Sequence, residues 1–216
     1  MDPAADLHRY CGLEPAVVFD VGAWTGTTVA AWRRAWPGAA VHAFEPVPES
    51  FAALTTRFAG DPCVRAAPIA LGRADGTGTL RRADDPSMHA VDTTGGGGAD
   101  VAVRSLDSWC AEHGIGTVDY LKVDTEGGDL AVLEGAEGML ASRAVRVVQV
   151  EAGMNPTTDV QVPFADLRAV LDRHGYLLFG VYEQVHEWRL RQPQLRRADC
   201  VFVAPDVPLG GPAARA

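Results

Sequence analysis

Short apolar runs bounded by turn residues alternate with stretches of helical spacing between residues 17 and 204, a pattern that predicts an α/β domain with a mostly parallel sheet and helices on both faces. The runs predict seven strands, at 17–21 (VVFDV), 40–44 (AVHAF), 64–70, 118–123 (VDYLKV), 145–150 (VRVVQV), 176–181 (YLLFGV) and 199–204 (DCVFVA). Helical spacing predicts helices over 26–35, 48–58, 105–113, 128–140 and 163–174; in the fourth, Leu130, Leu133 and Leu140 recur with Val132 and Met139 on neighbouring turns. Pro48 and Pro163 fit a first helical turn, where a missing N–H leaves no bond unmade.

Residues 73–103 are too long for an ordinary connection and include DDPSMHAVDTTGGGGAD, with four consecutive glycines from Gly95 to Gly98. Such a stretch pairs locally, is disordered or serves a site; 76–82 and 100–103 read as strand-like flanks of a mobile excursion, a candidate lid. The domain is expected over 17–204, with 1–16 as an N-terminal segment that closes the pocket or makes a homodimer contact and 205–216 as a loose tail.

A chain of 216 residues, 47% hydrophobic and 22% charged, suits one globular domain and excludes a wholly disordered or collagen-like chain. The net charge of −9, from 28 acidic against 19 basic residues, repels a phosphate backbone. The pairs Arg33/Arg34, Arg81/Arg82 and Arg196/Arg197 are scattered and Lys122 is the sole lysine, so no nucleic-acid partner is expected. No apolar run approaches the roughly 20 residues needed to cross a bilayer, and MDPAADLHRY does not read as a leader; a cytoplasmic protein without a membrane partner is expected. Cys11, Cys63, Cys110 and Cys200 lie far apart without zinc spacing and read as buried free thiols.

The strongest local signal is VVFDVGAWTG, a strand running into Gly22 and Gly26 and then a helix. Glycine lets the backbone turn sharply and approach a ligand, and the helix start offers free N–H groups; a tight turn without a ligand gives the same pattern. Trp24 interrupts the dinucleotide fingerprint, and Asp20 would repel phosphates but hold a cation, so the loop suits a positively charged, phosphate-free cofactor. Glu45, in AFEP at the end of the second strand, can accept hydrogen bonds from both hydroxyls of a ribose. In LKVDTEG, Asp124 and Glu126 end the central strand and point the same way by alternation, unless they only cap the following helix.

The order DVGAWTG, AFEPVPESFAAL, Ala70–Leu71, VRSLDSW, YLKVDTEGGDLAVLEGA and VQVEA, over roughly 17–204, resembles the FkbM-type class I S-adenosylmethionine-dependent methyltransferases. The resemblance implies a Rossmann-like three-layer fold whose seven-stranded sheet has its last strand antiparallel beside the sixth. It implies S-adenosylmethionine as cofactor, S-adenosylhomocysteine as product, and methyl transfer to a hydroxyl of a small-molecule acceptor, a sugar or natural product. Asp20, Gly22, Ala23, Trp24, Gly26, Glu45, Pro46, Ile69, Ala70 and Asp124 are then the cofactor-binding candidates. Trp24 stands where the family usually has Asn, so a polar contact to the cofactor's amino-acid end is lost or replaced by packing.

An alkyl hydroxyl is a poor nucleophile and calls for a base or a metal. Asp124, Glu126, Glu151 and His89 are the candidate bases, His89 only if its loop folds over the substrate, whereas His42 lies before the functional rim and reads as structural. Asp124, Glu126 and Glu151 carry oxygen ligands suited to magnesium, but no metal-ligand spacing supports a site; no metal residues are assigned and a divalent metal stays open. Tyr182, Glu183, His186 and Trp188 either shape the acceptor pocket or pack on the sheet edge. Transfer to nitrogen, a non-catalytic nucleoside-binding partner and a nicotinamide oxidoreductase are the competing readings, the last opposed by the glycine spacing and Asp20.

Overall fold

The structure, a computed structural model, describes residues 2–83, 89–92, 99–155, 160–187 and 193–210. Along the chain come α1 (Pro3–Cys11), β1 (Val17–Val21), α2 (Thr27–Ala35), β2 (Ala40–Phe44), α3 (Pro48–Arg57), β3 (Val64–Ala67), β4 (Ala70–Leu71), β5 (Gly76–Arg81) and β6 (Ala90–Asp92). Then follow β7 (Ala99–Arg104), α4 (Leu106–His113), β8 (Tyr120–Val123), α5 (Asp129–Glu134), α6 (Glu137–Ala141), β9 (Val147–Gly153), α7 (Phe164–Arg173), β10 (Leu177–His186) and β11 (Leu195–Val203).

The main sheet has seven strands in the order β10-β11-β9-β8-β1-β2-β3. β1 pairs in parallel with β2 and β8, as do β2 with β3 and β8 with β9, while β11 runs antiparallel between β9 and β10. Alternation sorts the apolar side chains into two layers. Phe19, Val21, Leu121, Val123, Val148 and Val150 pack with Leu106, Leu133, Leu140 and Leu167 of α4–α7, and Val18, Val41, Tyr120 and Val201 pack with Leu7, Val29 and Trp32 of α1 and α2. The outcome is the expected α/β sandwich of three layers.

The boundaries differ from the sequence pattern in instructive ways. The expected strand 64–70 is split into β3 and β4, which joins a second sheet of order β4-β7-β5-β6. The flanks of the long excursion form β5 and β7, antiparallel to each other, and β6 is a strand that the pattern missed; Gly95–Gly98 lie outside the described residues. The expected helix 128–140 is two short helices. A Cβ at Gly135 would overlap the Gly72 carbonyl oxygen, so the chain kinks where it passes β4. Pro163 is the N-cap of α7 rather than a first-turn residue.

Helix α1 was not expected. Asp2 caps it through Ala4 N at 3.0 Å, Pro3 opens it and Gly12 closes it in the left-handed region at φ 66°. Its Leu7 is fully buried on the α2 side, and Tyr182 donates a hydrogen bond to Asp6, so residues 2–13 pack on the sheet. No helix among the described residues is long and apolar enough to cross a membrane. All four cysteines are free, and Cys11 and Cys63 are half-buried rather than buried.

Candidate functional site

The carboxyl ends of β1, β2 and β8 open onto one cleft of about 410 Å³, within the roughly 300–1,000 Å³ usual for small-molecule sites. Gly22 and Trp24 follow β1, Glu45, Pro46 and Val47 follow β2, and Asp124, Thr125 and Glu126 follow β8. Val21, Phe44, Ile69, Ala70 and Leu71 give it an apolar wall, and Arg81 and Asp92 of the small sheet, with His89 just before β6, close one side.

Glu45 is held from both ends. Its Oε2 accepts from Trp24 N at 2.7 Å and its Oε1 from Val47 N at 2.8 Å. Burial pushes its pKa above the usual carboxylate value, against the pull of those two donors. Each oxygen keeps a second lone pair for a ligand hydroxyl.

The two glycines of the first loop are required by the protein's own packing. At Gly22, φ 83°, an added Cβ would overlap the Asp124 carbonyl oxygen, and at Gly26, φ 78°, it would meet Leu54 and Phe58. Gly22 still lines the cleft, whereas Gly26 and the buried Ala23 do not. Trp24 (φ 47°) and Glu126 (φ 52°) are non-glycine residues held in the left-handed region on the cleft wall, the kind of strain that concentrates at functional sites. The Trp24 side of the cleft is open, with the residue 43% exposed.

Asp20 does not line the cleft. It is fully buried on the α1/α2 face, outside the cleft lining, and its Oδ1 lies 4.0 Å from Lys122 Nζ, so its cation is the protein's own lysine. Burial raises its pKa to about 7; Lys122 opposes this, and Asp124 and Glu45 add to it. Burial likewise raises Asp129 and Asp199, each to about 6. An unfolded aspartate ionises near pH 4, so between about pH 4 and 7 the unfolded chain has released protons that the folded chain retains, and stability falls as pH rises through this window. Asp20→Asn is expected to gain about 1–3 kcal/mol at pH 8 and almost nothing at pH 4. Thermal unfolding at both pH values checks it; equal shifts at both would contradict it.

Among the candidate bases, Asp124 and Glu126 line the cleft and Glu151 does not, yet one carboxylate oxygen from each of the three lies within 4.8 Å of the others. Arg197 holds Glu151 Oε1, and Lys122 Nζ donates to Asp124 Oδ2 at 2.9 Å. The trio has oxygen ligands to offer a divalent cation, but two of its members are already matched with protein cations. His89 does reach the cleft wall. Its Nδ1 accepts from Ala83 N at 3.0 Å, which places the neutral ring's proton on Nε2 and makes the free nitrogen a donor, not a base.

His42 is buried against Phe19 with ring centroids 5.0 Å apart, and burial lowers its pKa to about 4, as a structural histidine should be. Tyr182, bonded to Asp6, faces α1, and Trp188 lies outside the described residues. Sequence reasoning missed Val47, whose amide fixes Glu45, and the Arg81–Asp92 ion pair at 2.5 Å on the cleft wall. The ion pair becomes readable once the β5–β6 pairing, with Asp92 opposite Thr79, is known.

The model of the methyltransferase FkbM domain matches residues 20–178. The 31-O-demethyl-FK506 methyltransferase FkbM of Streptomyces tacrolimicus is 31% identical over 193 residues, covering 74% of this chain and 72% of that protein. The 2-O-methyltransferase NoeI of Sinorhizobium fredii is 26% identical over 174 residues, covering 72% and 70%. The crystal structure of methyltransferase FkbM from Methylobacillus flagellatus superposes with a TM-score of 0.56 at 18% identity, covering 93% of this chain and 48% of that one. The chain belongs to the FkbM methyltransferase family and is an S-adenosylmethionine-dependent methyltransferase.

Proposed function

We propose that this methyltransferase acts on a hydroxyl oxygen of a small molecule, a sugar or natural product, and that Glu126 is the base. The observation that carries the reading is that Asp124 and Glu126 line the cleft with one carboxylate oxygen of each, and one of Glu151 behind them, within 4.8 Å of one another, and that Glu126 stands in a strained left-handed conformation on the wall. The names of the relatives support the oxygen: one is named for 31-O-demethyl-FK506, the other for a 2-O position.

The residues fit the cofactor. Glu45 is set to accept from ribose hydroxyls, and Phe44, Val47, Ile69 and Leu71 form an apolar wall suited to a flat base. Asp124 provides a negative charge for the ammonium of the cofactor's zwitterionic amino-acid end. When bound, S-adenosylmethionine supplies an electrophilic methyl carbon on a sulfonium. Transfer forms an oxygen–carbon bond as the carbon–sulfur bond breaks, its electron pair going to sulfur; Glu126 takes the hydroxyl proton. Arg197 holds Glu151, which does not line the cleft, and Lys122 holds Asp124, while Glu126 lines the cleft.

The test is incubation with S-adenosylmethionine and a panel of sugars and glycosylated metabolites, with mass spectrometry and NMR of the product. One added methyl on oxygen is expected. With the accepted compound, Glu126→Gln is expected to lower kcat by about 10²–10⁴ while the cofactor KM stays within a few-fold. Methyl on nitrogen would overturn the acceptor reading, and an unchanged kcat would remove Glu126 as base.

A further inference from the structure

Asp20 of β1, Lys122 of β8 and Gln149 of β9 stand at one register across three adjacent strands and all point to the α1/α2 face. All three are buried, and β1 and β8 are otherwise apolar. Gln149 accepts from the Tyr120 hydroxyl and donates to Asp199 Oδ2 at 2.5 Å, so this part of the row is closed by its own hydrogen bonds. Lys122 is different, because its ammonium reaches out of the row towards the cleft.

Lys122 Nζ donates to Asp124 Oδ2 at 2.9 Å and lies 4.0 Å from Asp20 Oδ1. Neither oxygen of Asp20 accepts a hydrogen bond among the described residues. One buried cation therefore serves two carboxylates, the nearer being the one on the cleft wall. Burying an ammonium costs several kcal/mol unless close partners repay it. Burial works against its charged form, but Asp124 and Asp20 outweigh this and hold it protonated. Asp124 itself stays about one third exposed, with its side chain at 34%.

We propose that Lys122 is a positioning residue for cofactor binding: anchored from below by Asp20, it fixes the Asp124 carboxylate at the end of the cleft that receives the cofactor's amino-acid end. This rests on the placement of the cofactor proposed above. A lysine buried there costs side-chain entropy and desolvation, and apolar residues on the same face would pack the strand more simply. Its return is a carboxylate locked in one orientation before the ligand arrives.

The test uses two probes that differ only at that end, S-adenosylhomocysteine and 5′-methylthioadenosine, which has no amino-acid moiety. Because Lys122→Met alone would leave the buried Asp20 carboxylate without a counter-charge and could fail to fold, it is made on the Asp20→Asn background and compared with Asp20→Asn. Calorimetric titration is expected to show S-adenosylhomocysteine binding weakened about tenfold or more in Asp20→Asn/Lys122→Met. Methylthioadenosine is expected to stay within twofold, and the cofactor KM should rise more than kcat falls. Equal weakening of both probes would mean that Lys122 only supports the fold, and no weakening would mean that Asp124 does not depend on it; either overturns the proposal. Glu45→Gln, expected to weaken both probes, tests the placement of the cofactor separately.

Discussion

Gly22→Ala is expected to destabilise the protein by about 2–5 kcal/mol and to abolish cofactor binding. Two costs coincide. The φ of 83° lies in the left-handed region, which a Cβ penalises, and that Cβ would overlap the Asp124 carbonyl oxygen. Relief by local adjustment is blocked, because Gly22 N and Ala23 N both donate to Phe44 O at 3.0 Å and Asp124 N donates to Val21 O at 3.0 Å. The first loop is thus wedged between the ends of β2 and β8. A methyl group there pushes apart the two strand ends that carry Glu45 and Asp124. At Gly26 the added methyl would meet side chains, Leu54 and Phe58, which can move, so Gly26→Ala should cost less. Urea unfolding of both variants checks the ranking; a Gly22→Ala midpoint equal to wild type would show that the β1–β8 approach is looser than described.

Glu45→Gln is expected to weaken S-adenosylhomocysteine binding about 100-fold, since two charge-assisted hydrogen bonds are lost together. It is also expected to lower stability by about 1–2 kcal/mol. A glutamine has one acceptor oxygen, so it can satisfy Trp24 N or Val47 N but not both. The loss of affinity should exceed the loss of stability because the amide also turns an –NH₂ group towards a ribose hydroxyl that needs an acceptor. Trp24 carries a further consequence. Its φ of 47° is held by the bond to Glu45, so releasing that bond lets the loop relax away from the cleft.

The sheet was legible because its seven strands are bounded by turn residues and coloured by alternation. What alternation could not show was length and break. Helix α1 has only Leu7 and Ala4 buried, too few to make a stripe, although Asp2–Pro3 was a readable start signal and Gly12 a readable stop. The kink at Gly135 depends on its contact with Gly72, sixty-odd residues away in sequence and invisible in a local window.

In the site, Gly22, Trp24, Glu45, Pro46, Ile69, Ala70, Asp124 and Glu126 come together as the spacing implies, because each follows or precedes a strand end at the same edge. Asp20 was assigned towards the cofactor because it sits near that edge. By parity it shares a face with Val18 outside the cleft lining, and the parallel partner at its register is Lys122. The sole lysine of the chain, in the apolar run YLKV, was the readable signal that a buried carboxylate needed a counter-charge. The Arg197–Glu151 pairing required knowing that β11 lies between β9 and β10, a fact of topology that no spacing supplies.

A double-mutant cycle between enzyme and ligand tests the placement of the ribose on Glu45 most directly. S-adenosylhomocysteine and its analogue lacking the 2′- and 3′-hydroxyls are titrated into wild type and Glu45→Gln. Removing the hydroxyls is expected to cost wild type about 100-fold and the variant almost nothing, because the partner is already gone. Equal losses in both proteins would show that the hydroxyls do not meet Glu45, and the cofactor's placement in this cleft would have to be abandoned.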